Sequence, residues 1–207
     1  MKVNLTDTIS YYYYTWDTKN LKEIISTSYD VMESVDSPED GHGLFKNTQT
    51  EEWVRNNHLG VFKELILHGL DKCKELYTEE YKDVKLSSWI NVVRAKNTRQ
   101  QIRIDNDTIV YHTHTEISSK SGEPRPDYTF VFYIQMPDNL TEDDGKLFIM
   151  DKDGTEKSIL PKVGELIILD GDVPHAPLDA PNSTKDRIVL AGNVCFIEKE
   201  KTEKTLL

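Results

Sequence analysis

Tyr128-Thr129-Phe130-Val131-Phe132-Tyr133-Ile134-Gln135-Met136 is the stretch from which the fold is read. Aromatic and β-branched residues dominate it, and these suit the pleated surface of a strand better than a helix. Runs of the same kind follow at residues 146–150, 157–160, 165–169 and 187–197, each short and separated from the next by turn signals. Upstream, residues 88–94 are β-rich and 101–104 alternate polar with apolar. Asp105-Asn106-Asp107 then reads as a turn, and a strand resumes over 108–111. Several short strands at this spacing predict a sandwich or barrel.

Further toward the N-terminus the period changes. Leu21, Ile24, Ile25, Met32 and Val35 recur at helical spacing and predict an amphipathic helix over 21–35. Residues 37–43 read as a loop, with His42 solvated in it. Thr48-Gln49-Thr50-Glu51 has the form of a capping box. It predicts the start of one long helix, with Trp53, Val61, Phe62, Leu65, Ile66, Leu70, Cys73 and Leu76 on its apolar stripe through about residue 77. Cys73 reads as core, His58 and His68 as surface or boundary residues. Tyr11-Tyr12-Tyr13-Tyr14-Thr15-Trp16 reads as an edge strand or lid, with a substrate-stacking surface as the lesser alternative. The expected architecture is mostly β with helical support. One domain spans 1–207, with a helical buttress over 1–82, a β core over 83–197 and a charged, fraying tail over 198–207.

Composition bounds the function. The 207 residues are 37% hydrophobic and 29% charged, as in an ordinary globular protein on the polar side. A net charge of −11 argues against broad nucleic-acid or anionic-membrane binding, both of which need a basic footprint. The two cysteines, Cys73 and Cys195, form no disulfide framework and no CxxC pattern. No apolar leader or membrane-length run occurs, so a cytoplasmic location is expected.

The chemistry lies just upstream of the β core, in Tyr111-His112-Thr113-His114-Thr115-Glu116. Read as a strand, it projects His112, His114 and Glu116 to one face, and two of them can serve one metal as adjacent ligands. Downstream come Thr129 and Tyr133 on one strand face, the turn Asp144-Gly145, Pro161-Lys162-Val163-Gly164, then His175 and Arg187.

In that order and spacing, residues 88–197 resemble the 2-oxoglutarate- and iron(II)-dependent oxygenases, in particular the prolyl-hydroxylase-like branch. The resemblance implies a double-stranded β-helix, a jelly-roll or cupin-like barrel. It implies Fe(II), 2-oxoglutarate and O₂ as cofactor and co-substrates, with ascorbate as a reductant. The implied reaction converts 2-oxoglutarate to succinate and CO₂ while hydroxylating a C–H bond of an amino-acid, peptidyl or small-molecule substrate. It makes His114, Glu116 and His175 the metal ligands, a 2-His-1-carboxylate face that leaves positions open for co-substrate and O₂. Arg187 becomes the bidentate partner of the distal carboxylate of 2-oxoglutarate, with Tyr133 and Thr129 adding hydroxyls. Arg125, in the loop over 118–127, is a candidate for the substrate entrance.

Three departures from the pattern matter. The carboxylate is Glu116 rather than Asp. His112 opens a rival set, His112, His114 and His175, and Trp89-Ile90-Asn91, His112-Thr113-His114 and Arg187 to Asn193 resemble a related group with His-x-His. Glu116 is preferred because its charge offsets that of ferrous iron. Asn193 stands where the nucleic-acid-dealkylating branch would carry a second arginine, which argues against base repair. Three other readings stand beside this one. The first is a cupin-like dioxygenase or isomerase on the three histidines, against which Ser118 and Ser119 stand where glutamate is usual. The others are a non-catalytic binding barrel and, least favoured, a hydrolase using Cys195.

Overall fold

The structure, a computed structural model, describes residues 2–4, 10–17, 19–33, 42–43, 49–95, 104–105, 108–115 and 124–199. Its N-terminal part runs β1 (Lys2–Asn4), β2 (Ser10–Thr15), α1 (Leu21–Glu33), β3 (His42–Gly43), β4 (Gln49–Thr50), α2 (Glu51–Asn56) and α3 (Phe62–Leu76). Next come β5 (Tyr81–Val93), β6 (Ile104–Asp105), β7 (Thr108–Ile109) and β8 (Tyr128–Gln135). The chain continues through β9 (Leu147–Met150), β10 (Glu156–Ile159), β11 (Glu165–Asp170), β12 (His175–Pro177) and β13 (Arg187–Glu198).

The predicted single helix over about 48–77 is in fact two. Thr50 caps α2 by accepting the Trp53 N–H at 3.2 Å, so the capping hydroxyl is the second threonine of the box. Asn57 then ends the helix, its backbone N–H and side-chain Nδ2 both donating to the Trp53 carbonyl at 3.0 and 2.8 Å. Asparagine offers the backbone this alternative to helix. Gly60 follows at φ 54°, where a Cβ would be strained. No described helix is long and apolar enough to cross a membrane.

A large antiparallel sheet in the order β1-β2-β11-β8-β13-β5-β3, with β4 also on β5, faces a smaller sheet, β10-β9-β12. Alternation along β8 divides the interior. Phe130, Phe132 and Ile134 face the helices, packing with Ile24, Leu65, Ile66 and Leu70. Val131 and Tyr133 face the smaller sheet, packing with Leu147, Ile149, Ile167 and Leu169. The second layer is the inside of the barrel.

Two expectations need correction here. The first 82 residues are more than helical support, because β2 pairs with β11 through Tyr11↔Leu169 to Thr15↔Glu165 and β1 pairs with β2 on its other side. The tyrosine run is therefore an inner strand of the sheet, covered by β1. Tyr12 and Tyr14 face the helical core, Tyr11 and Tyr13 the barrel layer. An all-aromatic strand suits a position packed on both faces. Likewise His42 and Gly43 form a strand against Ile90 and Trp89 rather than a loop. Residues 200–207, the bulk of the predicted fraying tail, lie outside the described residues.

Helices and sheet approach most closely around Phe130. A Cβ added at Gly69 of α3 would lie 2.8 Å from Cδ2 of its ring, and one at Gly192 of β13 2.5 Å from Cε1 and 3.0 Å from the Ser87 carbonyl. Phe130 is fully buried and has nowhere to retreat. Gly192→Ala is therefore expected to destabilise the fold by ~1–3 kcal/mol through overpacking. Urea denaturation measures it, and an unchanged midpoint would show that the ring has room to move.

Candidate metal centre

Residues 112 and 175 are brought together by backbone. His112 N–H donates to the His175 carbonyl at 3.1 Å and His175 N–H returns to the His112 carbonyl at 3.0 Å, an antiparallel bridge. His175 is held from the other side by β9, opposite Ile149. The two imidazoles then sit with ring centroids 4.4 Å apart.

The stretch 111–116 is not one continuous strand, contrary to expectation. His114 and Thr115 have helical conformation. Thr115 turns there because its N–H and its hydroxyl both donate to the Gly171 carbonyl, at 3.2 and 3.0 Å. Gly171 is itself tied to Asp127 and packs so close to Pro126 that a Cβ would run into the Pro126 carbonyl. This turn, rather than strand alternation, swings His114 inward. Its ring lies 5.1 Å from that of His175 and nearly parallel to it, at 14°. On the other side it leans on Trp89, 5.7 Å away and inclined at 31°.

The donor atoms of His112, His114 and His175 all lie within 4.8 Å of one another. His114 and His175 are buried, and His112 is half-buried. His175 Nδ1 lies 2.9 Å from the Val173 carbonyl. That contact makes Nδ1 the protonated nitrogen and leaves the Nε2 lone pair for a metal, the usual way such a ligand is oriented. Three neutral imidazoles suit Fe, Zn, Ni or Cu. Glu116, the preferred carboxylate of the sequence reading, lies outside the described residues. Among the described residues, His112, His114 and His175 are a group whose donor atoms come together.

Arg187 opens β13 and is buried beside Tyr133, which is 3% exposed. Burial pushes the Arg187 guanidinium down from its usual range, opposed by the Asp179 carboxylate and then by Tyr133. Burial raises the Tyr133 phenol to about 12, opposed by Arg187. The phenol therefore stays protonated at neutral pH and can donate. Nη1 of Arg187 donates to the Leu178 carbonyl at 2.6 Å, and Nη2 lies 3.4 Å from Oδ1 of Asp179.

Thr129 shares a face of β8 with Tyr133, as expected, but its hydroxyl donates to Oδ1 of Asn193 at 2.8 Å. Asn193 is six residues from Arg187 along β13. At ~3.3 Å per strand residue, the Thr129–Asn193 pair sits at the other end of the barrel wall from Arg187 and Tyr133. Trp89, the neighbour of His114, pairs with Ala191, between those two ends. Arg125 is exposed and forms a loose ion pair with Asp172 at 3.7 Å, worth little in water. Its carbonyl accepts the Cys195 thiol at 2.6 Å, which turns that cysteine into a structural tie.

Asp179 escaped the sequence reading. It lies in a loop without periodic signal, and only the fold carries it to Arg187.

No family model matches the sequence, and no curated protein matches it. Solved structures do. A Pseudomonas putida prolyl-4-hydroxylase superposes with a TM-score of 0.55 at 15% identity, over 91% of this chain and 92% of that one. The non-heme alpha-ketoglutarate-dependent carbocyclase SnoK from nogalamycin biosynthesis gives 0.54 at 10% identity, over 96% and 88%. HygX from Streptomyces hygroscopicus, with nickel and 2-oxoglutarate bound, gives 0.50 at 11%, over 91% and 83%. The chain thus has the double-stranded β-helix fold of the 2-oxoglutarate/Fe(II) oxygenases, as the order of its motifs led one to expect.

Proposed function

We propose that this protein is an Fe(II)- and 2-oxoglutarate-dependent dioxygenase that hydroxylates a C–H bond of an amino-acid, peptidyl or other small substrate. The observation that carries this is the convergence of three histidines inside a barrel whose wall also buries an arginine beside a protonated tyrosine. We assign His112, His114 and His175 as the ligands, which the closeness of their donor atoms among the described residues supports. Glu116 is the ligand that charge balance favours, and His112→Ala beside Glu116→Ala separates the two sets. A ferrous ion held by these residues would supply the redox chemistry with O₂. In that reaction one oxygen atom would enter succinate as CO₂ leaves 2-oxoglutarate, and the other would enter the new hydroxyl.

The chain's own groups bind and orient. Arg187 holds the distal carboxylate of 2-oxoglutarate and Tyr133 donates its phenol to it. Thr129, bonded to Asn193, lines the end of the barrel wall away from Arg187 and Tyr133. Arg125, exposed beside Asp172, is the candidate for the side where a substrate would enter.

Succinate formation from 2-oxoglutarate with Fe(II), ascorbate and oxygen is the expected result, lost in His114→Ala. Tight metal binding with no affinity for 2-oxoglutarate would instead favour the second reading, a cupin-like metal enzyme, which the same histidine cluster supports.

A further inference from the structure

We infer that Asp179 is a positioning residue for Arg187, steadying one edge of its guanidinium so that the remaining donors face the distal carboxylate of a 2-oxo diacid. This rests on the reading of Arg187 as the co-substrate's partner and adds to it a residue that the motif series does not contain.

The first support is that Asp179 is held in place independently of Arg187. Leu178 N–H donates to the Lys146 carbonyl at 2.8 Å, and Gly145 N–H donates to the Asp179 carbonyl at 3.3 Å. Gly145 makes its turn at φ 71°. The loop beyond is knotted to the end of β8. Asp138 accepts the Thr184 N–H at 2.6 Å, the Thr184 hydroxyl at 2.8 Å and the Ser183 hydroxyl at 2.9 Å, and these bonds hold its carboxyl down at about 2. At the loop's far end Asp186 takes the Ala95 N–H at 2.6 Å, Arg94 at 3.1 Å and the Tyr29 hydroxyl at 3.0 Å. Asp179 and the backbone of Arg187 are therefore fixed from separate sides.

The second support is the form of the contact. Arg187 is 7% exposed and Asp179 18%, so the pair is shielded from water. Charge-assisted N–H···O bonds normally run ~2.7–2.9 Å and often pair both carboxylate oxygens with the fork. Here Nη2 meets a single oxygen at 3.4 Å, while the short bond, 2.6 Å, goes to the neutral Leu178 carbonyl. Such a contact orients the guanidinium without using up its charge. Tyr133, buried on the same wall, is near enough that phenol and guanidinium each shift the other's titration.

Titration calorimetry on Mn(II)-loaded protein tests this with two probes. These are 2-oxoglutarate, and pyruvate, which offers a metal the same 2-oxo acid head but has no distal carboxylate. Asp179→Ala is expected to weaken 2-oxoglutarate about tenfold, some 1.4 kcal/mol, and to leave pyruvate unchanged. Asp179→Asn keeps an oxygen for Nη2 and is expected to stay within about threefold of wild type. Unchanged or tighter 2-oxoglutarate binding by Asp179→Ala overturns the inference, as does an equal loss for both acids. If the wild-type protein binds Mn(II) but not 2-oxoglutarate, the co-substrate reading fails first and this inference with it.

Discussion

His175→Ala is expected to lower metal affinity at least about a hundredfold and to abolish succinate formation. Loss of a partner that merely orients a ligand already lowers metal affinity some ~10–100-fold, and loss of a ligand exceeds that. The fold should survive, because residue 175 is held by backbone bonds to His112 and by its pairing with Ile149, neither of which needs the imidazole. Circular dichroism and the urea midpoint should stay near wild type while equilibrium dialysis with Fe(II) or Ni(II) reports the loss. His112→Ala should act in the same way if the histidine set is the ligand set. A metal-binding curve for His112→Ala that overlays wild type, with loss in Glu116→Ala, would return the carboxylate to the site. Wild-type affinity in His175→Ala would remove the metal centre altogether.

Arg187→Ala carries the second large effect, and it acts on two quantities. Binding of 2-oxoglutarate to metal-loaded protein should weaken by about two orders of magnitude, because charge-assisted bonds of ~1.5–3 kcal/mol are lost. Metal affinity should be unchanged. Stability should fall too, since truncation removes the guanidinium donor that bonds the buried Leu178 carbonyl at 2.6 Å. Leaving a buried carbonyl without its donor costs about 1–3 kcal/mol. Arg187→Lys keeps the charge but not the fork, so it separates the two effects. It should recover most of the stability and only part of the affinity, because an ammonium cannot reach both the Leu178 carbonyl and a ligand carboxylate. Full 2-oxoglutarate affinity in Arg187→Ala would place the distal carboxylate elsewhere.

Much of the fold was legible because its signals are local. Five of the six strands from 128 onward lie within a residue or two of their predicted bounds, since alternation and turn residues act over a few positions. The same holds for α1. The interrupted helix was legible in principle: between Val54 and Leu59 the chain reads Arg-Asn-Asn-His, with no apolar residue to carry the stripe and an asparagine suited to end it. Strand β12 was not. It lies in Val173-Pro174-His175-Ala176-Pro177, whose prolines suit an edge, and it pairs with β9 and with His112 only once the barrel closes.

The site divides in the same way. The order of His114, Tyr133, His175 and Arg187 is a property of the chain, and it was enough to expect the barrel and to choose those residues. How the chain presents His112 and His114 to one another could not be judged from spacing. It depends on where the extended backbone stops, and that is decided by the Gly171 carbonyl, 56 residues after Thr115, which takes both donors of that threonine. The inward place of the tyrosine strand, the attachment of Thr129 to Asn193 and the approach of Asp179 to Arg187 likewise rest on contacts between distant segments. Sequence alone determined which side chains could do chemistry and placed Tyr133 and Arg187 on their strands. Tertiary structure decided which of them meet, because pairing register and loop anchoring are set by hydrogen bonds across the sheets and leave no periodic mark on the chain.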